Sequence, residues 1–253
     1  MKNYKIQTQY DGSKYKGWQV QKSTPETIQG KLQQILSRLS GEKVEVIGSG
    51  RTDAGVHAIG QIANFHITLP AEMSEHELLL YINRYLPEDI AVTDLQPADD
   101  RFHARFSAQE KTYRYRIHVS PIAEVFEKRY VYTYLDLPLD TEAMRQAASH
   151  LIGRHDFKSF CGNKHMKKST VRSIFDIQIS EIRDAHGLKE IDIDYRGDGF
   201  LQNMIRIMTG TLIEVGSGRR SPSSIEEILA SKNREIAGYT APAQGLCLME
   251  VGY

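Results

Sequence analysis

The sequence predicts an α+β protein of two halves, each running β-α-β-β-α-β, and three observations carry that expectation. Short alternating or continuously apolar stretches are interrupted by two amphipathic helices in residues 1–100, and the same order returns in residues 111–253. Thr, Ser or Asp stands ahead of the helical periods, and Gly or Pro follows them. The length, 253 residues, allows two compact units at roughly 150 residues per domain, each able to bury a core.

In the first half, residues 2–10 read as a strand. Thr24 is placed as the N-cap of the next helix with Pro25 in its first turn, followed by Ile28, Leu32, Ile35, Leu36 and Leu39 at helical spacing and stopped by Ser40 and Gly41. Val44 to Ile47 forms a short apolar strand, a Gly-rich loop runs from Gly48 to Ala58, and residues 59–67 give another strand. Ser74 and Glu77 have capping-box spacing ahead of Leu78, Leu79, Ile82, Tyr85 and Leu86, and Pro87 ends that helix before a strand from Asp89 to Leu95.

In the second half, residues 111–119 alternate with a period of two: Tyr113, Tyr115, Ile117 and Val119 on one face, Arg114, Arg116 and His118 on the other. Asp140 caps a helix carrying Met144, Ala147, Ala148, Leu151 and Ile152. Residues 173–181 and 189–196 are two strands around a turn at His186 and Gly187. Phe200 to Val215 is a mostly apolar, buried helix with Gly216 and Gly218 past its end, a short helix follows Ser221 and Pro222, and Leu246 to Tyr253 is the last strand. This order makes each half ferredoxin-like, with residues 1–105 as the first and 106–253 as the second.

Composition is that of an ordinary globular protein, 40% hydrophobic and 25% charged. No apolar run approaches the roughly 18 residues that span a bilayer, and Lys2 and Lys5 are followed by polar Gln7, Thr8 and Gln9 rather than an export signal. Cys161 and Cys247 lack metal or scaffold spacing, so they are expected as reduced, buried thiols of a cytoplasmic protein. The 32 basic and 32 acidic residues cancel, yet their distribution is uneven. Residues 101–118 carry Arg101, Arg105, Lys111, Arg114 and Arg116 against Glu110, and residues 154–172 carry six cations against Asp156. Residues 72–100 hold eight carboxylates, from Glu72 to Asp100, against Arg84 alone, so a neutral total hides a basic face and an acidic one.

Signatures of metal and nucleotide chemistry are missing: there is no HExxH, paired CxxC, P-loop or GxGxxG, and the nine histidines have no ligand spacing. One unusual loop remains between two predicted strands, Gly48-Ser49-Gly50-Arg51-Thr52-Asp53-Ala54-Gly55-Val56-His57-Ala58. Gly50 and Gly55 let the chain turn and a bulky ligand come close, and Asp53 between them suits a nucleophile. With a reference pKa of about 3.9 it is ionised at neutral pH. From pattern alone, capping a local turn is the more commonplace use for it.

The run Gly50 to Ala58 resembles the catalytic motif of the tRNA pseudouridine synthase A family. Further blocks are similar in the same order: Tyr10-Asp11-Gly12-Ser13 with Gly17-Trp18-Gln19, Phe102 to Ala108, Asp156-Phe157, Gly199-Phe200-Leu201 with Met204-Ile205-Arg206, and Gly245-Leu246. The resemblance implies a pseudouridine synthase fold with sheets flanking a central cleft. It implies that Asp53 is the nucleophile, that Arg51 helps flip the target base, that Tyr113 packs on the uracil, that Arg206 pairs with the aspartate and that Leu246 lines the pocket. The residues agree in part. A tyrosine on a basic strand stacks a base for roughly 1–3 kcal/mol, beside arginines such as Arg105 that hold the substrate's phosphates. Tyr115 meets that argument equally well, and only the resemblance selects Tyr113. A lone arginine between Ile205 and Ile207 calls for a carboxylate partner.

The reaction so implied is isomerisation of uridine to pseudouridine in the anticodon stem-loop of tRNA, at positions 38, 39 and 40. Nothing is added, so neither cofactor nor metal is required. The target base must leave its stack before a carboxylate can attack the sugar or the uracil ring. A homodimer binding tRNA, without membrane attachment, is the implied assembly. The basic loop from Gly162 to Thr170, with Lys164, Lys167 and Lys168, is read as a backbone contact. Two rival readings are a tandem RNA-binding module without chemistry, against which no RNP1 run is present, and a nucleosidase that uses Asp53 to release uracil.

Overall fold

The computed structural model describes residues 1–70, 73–136, 138–184 and 187–253, without the side chains of 184–188. Glu72 of the acidic run and His186 of the expected turn lie outside these residues. The described residues form a mixed α+β protein of ten strands and five α-helices in two compact units: residues 1–109 with 248–253, and residues 110–247. None of those helices is long and apolar enough to cross a membrane.

The first unit contains β1 (Lys2–Tyr10), α1 (Ile28–Ser40), β2 (Val46–Gly48), β3 (His57–Ile67), α2 (Glu75–Tyr85) and β4 (Ile90–Pro97). Residues 248–252 of the last strand, β10 (Leu246–Gly252), complete the order β4-β1-β3-β10, and β2 also pairs with β3. Strand β1 is antiparallel to both neighbours, with Tyr4 opposite Phe65 and Pro97. Alternation along β1 turns Tyr4, Ile6 and Thr8 inward, where the Tyr4 and Phe65 rings stack at 5.9 Å. Helix α1 buries Ile28, Leu32, Ile35 and Leu36 and ends on Gly41 in the left-handed region. Its N-cap is Thr27, whose Oγ1 accepts from the Gly30 N–H, and not Thr24. Thr24 and Pro25 stay in the preceding loop because Gln21 bridges to Thr24 and the Thr24 hydroxyl is used on the Glu26 N–H. Ser74 and Glu77 form the expected capping box of α2. The short strand runs Val46–Gly48 rather than 44–47, and β3 begins at His57, which shortens the loop that carries Asp53.

The second unit contains β5 (Glu110–Val119), β6 (Tyr132–Tyr134), α3 (Thr141–Ser149), β7 (Gly153–Asp156), β8 (Val171–Asp184), β9 (Gly187–Gly197), α4 (Met204–Gly216) and α5 (Ser224–Ser231). Strands run in the order β5-β9-β8-β7, with β6 parallel to β5. The sequence reading missed β6 and β7, whose three and four residues are too short to display a period. Helix α3 ends at Ser149 instead of reaching Ile152, and Asp140 caps it as expected. Helix α4 starts four residues later than the apolar run suggested, because Asn203 takes a left-handed φ of 58° that interrupts the helical path. Nearly all of α4 is buried. Cys161 is buried, Cys247 is half-buried, and both are thiols.

Candidate active site

The Asp53 loop is seated by the segment that follows β1. The Trp18 N–H donates to Thr52 O at 3.1 Å, the Gly55 N–H to Tyr15 O at 3.3 Å, and the Tyr10 hydroxyl meets Thr52 Oγ1 at 2.8 Å. Across the loop, the Val56 N–H donates to Asp53 O, and Gly55 adopts a φ of 80°. Two glycines make this docking possible by close approach. A Cβ on Gly17 would lie 2.6 Å from Thr52 O, and one on Gly12 would lie 2.0 Å from Val56 O. The blocks Tyr10 to Ser13 and Gly17 to Gln19 are thus the bed of the loop, holding its backbone on both sides of Asp53. At its start, the Ser49 hydroxyl donates to Gln61 Oε1 at 2.6 Å and Gln61 Nε2 returns a bond to Gly50 O at 3.3 Å.

Asp53 is half-buried on this bed, and Arg51 is exposed two residues before it. The spacing puts the guanidinium and the carboxylate on one short, over-determined loop, while Thr52 between them is buried. Arg51 Nε donates to Gln19 Oε1 at 3.0 Å. Behind the loop, the Gly12 N–H points to His57 Nδ1 at 3.1 Å. The Asp11 carboxylate lies 3.3 Å from the same nitrogen. Of the residues singled out in the sequence, Arg105 also belongs to this unit, exposed on the turn from Phe102 to Ala108. That turn is anchored by buried amides: Asn3 Nδ2 donates to Asp99 O and Phe102 O, and the Ala104 N–H donates to Asn64 Oδ1 at 2.9 Å.

Tyr113, Arg206 and Leu246 belong to the second unit. Tyr113 is 6% exposed, and its ring packs edge-on against Phe200 with centroids 5.3 Å apart. Tyr115, which pattern alone could not separate from it, is wholly buried and donates its hydroxyl to Pro242 O at 2.8 Å. Burial pushes the Tyr115 phenol well above the usual tyrosine range, and no face of the ring is left for a base. Arg206 is oriented by two acceptors: Nε donates to Ala241 O at 2.7 Å and Nη1 to Asn203 Oδ1 at 3.0 Å. The Ala241 N–H returns a bond to Arg206 O, which ties the first turn of α4 to the segment before β10. Leu246 is buried at the start of β10.

The charge reading needs correction within β5. Arg114 forms a fork with Asp194, Nε to Oδ1 and Nη2 to Oδ2 both at 2.8 Å, and Arg116 forms one with Glu190 plus a 2.6 Å bond to Glu127. These carboxylate bonds raise both guanidinium pKa values and keep the arginines committed to β9. The cause is register. Arg114 and Arg116 alternate away from Tyr113 and Tyr115 and stand opposite Asp194 and Asp192. Two of the five cations in residues 101–118 are thus tied across strands to carboxylates. The Asp156-Phe157 block is likewise structural: the Asp156 carboxylate caps a short turn at Lys158, accepts from Thr170 and pairs with Lys232 at 3.2 Å. In the basic loop, Lys164 pairs with Glu235 at 3.4 Å, with both side chains exposed.

Three supporting residues had no role assigned from the sequence: Tyr10 on Thr52, Asn203 on Arg206 and Gln19 on Arg51. Tyr10 and Gln19 lie inside blocks already noted, so the signal was present without a stated task.

Residues 6–107 and 147–253 match the family model described as tRNA pseudouridine synthase. Relatives aligned over all 253 residues, covering 100% of both chains, include tRNA pseudouridine synthase A of Brevibacillus brevis (strain 47) at 44% identity and of Bacillus sp. (strain KSM-64) at 45%. A protein named tRNA pseudouridine synthase A 1, from Clostridium tetani, is 45% identical over the same length. The chain therefore belongs to the tRNA pseudouridine synthase family, enzymes that isomerise uridine to pseudouridine in tRNA.

Proposed function

We propose that the chain isomerises uridines 38, 39 and 40 in the anticodon stem-loop of tRNA, with Asp53 as nucleophile and without cofactor or metal. The observation that carries the reading is the seating of the Asp53 loop. Backbone bonds from Trp18 and Gly55 and the Tyr10 hydroxyl fix the peptide on both sides of a half-buried carboxylate, the preorganisation a nucleophile needs. In the reaction the bond from uracil N1 to ribose C1′ breaks and a bond from C5 to C1′ forms. The C5 hydrogen leaves as a proton and N1 gains one, so substrate and product have the same composition and no redox partner is involved. A carboxylate serves either by capturing the electron-poor sugar carbon or by adding to the uracil ring.

The remaining roles follow the resemblance of the motifs. Arg51 helps extrude the base, Tyr113 stacks on the uracil, Arg206 supplies the cation for the nucleophile's carboxylate, Leu246 lines the uracil pocket and Arg105 contacts the RNA backbone. The first half, residues 1–105, is assigned the nucleophile and the second, residues 106–253, the stacking tyrosine and the cation. Each half is read as a ferredoxin-like unit, and the working enzyme as a cytoplasmic homodimer.

The test uses unmodified tRNA transcribed with tritium at uracil C5. Wild type is expected to release tritium to water without releasing free uracil. Asp53→Ala and Asp53→Asn are expected to release none while still binding tRNA. Turnover by either variant removes Asp53 from the nucleophile role, and free uracil in the wild-type reaction identifies a nucleosidase instead.

A further inference from the structure

Arg51 does not stand alone on its loop, because a chain of two glutamine amides leads to it from the protein interior. Gln29 is 6% exposed, an amide on the otherwise apolar face of α1. Its Oε1 accepts from the Val20 N–H at 2.7 Å, and its Nε2 donates to Val46 O at 2.7 Å. A backbone N–H only donates and a carbonyl only accepts, so these two bonds fix which end of the Gln29 amide is oxygen. The same Oε1 also accepts from Gln19 Nε2 at 2.7 Å. That bond in turn fixes the Gln19 amide, leaving its Oε1 turned outward, where Arg51 Nε donates to it at 3.0 Å. Polarity set by two backbone groups is thereby handed outward to the guanidinium.

We propose that Gln19, oriented by Gln29, is a positioning residue for Arg51 in base extrusion, holding the guanidinium by Nε so that its Nη edge is presented to the RNA. The proposal rests on the role given to Arg51 above. An exposed arginine spends side-chain entropy to adopt one geometry, and an acceptor fixed in advance removes that cost from the step in which the base leaves its stack. Gln19 itself touches no reacting atom.

A double-mutant cycle tests this, measured by single-turnover tritium release and by tRNA affinity. Gln19→Met keeps the length of the side chain and removes the amide, and Gln19→Ala serves as a second variant should the first lose stability. Gln19→Met is expected to slow the rate at saturating tRNA by about 10-fold, with tRNA affinity and melting temperature close to wild type. In an Arg51→Ala background the same change is expected to cost less than about 2-fold, because the residue it acts through is gone. A wild-type rate for Gln19→Met overturns the proposal. So does an equal loss in both backgrounds, which would make Gln19 an independent structural element, and so does a loss confined to tRNA affinity, which would make it a direct contact. Arg51→Ala at the wild-type rate would instead remove the role of Arg51, and the positioning role would fall with it.

Discussion

Gly17 and Thr52 touch backbone to backbone: Gly17 has a φ of 91°, and a Cβ there would stand 2.6 Å from the Thr52 carbonyl oxygen, beside the peptide that leads into Asp53. Gly17→Ala therefore strains its own backbone and pushes on the loop. The expected result is a stability loss on the order of 2 kcal/mol and a fall in tritium release of at least about 10-fold. Thermal melting and the tritium assay check it, and a variant matching wild type in both would show that the loop tolerates displacement.

Arg206 uses one guanidinium on two acceptors, Ala241 O and Asn203 Oδ1, in a fork that a single ammonium cannot reproduce. Arg206→Lys keeps the charge and loses the geometry. Turnover is expected to fall by about 100-fold with the melting temperature within a few degrees of wild type. Near-normal turnover would mean that charge alone suffices.

Asp192 supplies a pH test of the cross-strand ladder. Burial first, and then the neighbouring Glu190, push its pKa up to about 6, while the Arg114 guanidinium 3.5 Å away opposes the shift only in part. A carboxyl whose folded pKa exceeds its unfolded value costs nothing below the unfolded value, near pH 4. Stability is then lost as pH rises from there to about 6, and the full cost persists above. Asp192→Asn removes the ionisation, so it is expected to raise the melting temperature by a few degrees at pH 7.5 and to leave it unchanged near pH 4. Equal effects at both pH values would assign the change to packing.

The proposed homodimer is checked by light scattering, where the expected mass is about twice 28.8 kDa. A mass of one chain at every working concentration would overturn it. The assay requires no substrate and so stands apart from the catalytic predictions.

Much of the molecule was legible before any coordinates. The capping box at Ser74 and Glu77, the Gly41 stop and the alternation along residues 111–119 are local rules satisfied by neighbours in the chain, so sequence alone determined those elements. The motif blocks propose Asp53, Arg51, Tyr113 and Arg206 as site residues, an assignment that rests on the resemblance. What only the folded structure decided involves partners that periodicity does not name, some three residues away in the chain and some distant. Thr27 replaces Thr24 as the cap because Thr24 is bridged to Gln21, and α4 begins at Met204 because Asn203 turns left-handed to face Arg206. Tyr113 and Tyr115 share one strand face and one pattern, yet Pro242, 127 residues further on, takes the Tyr115 hydroxyl. Arg114 and Arg116 count toward a basic segment in the sequence, and register sets β9 carboxylates opposite them. Periodicity records which face a side chain occupies, whereas hydrogen bonding and burial depend on what that face meets, and this is fixed only when the strands and loops have docked.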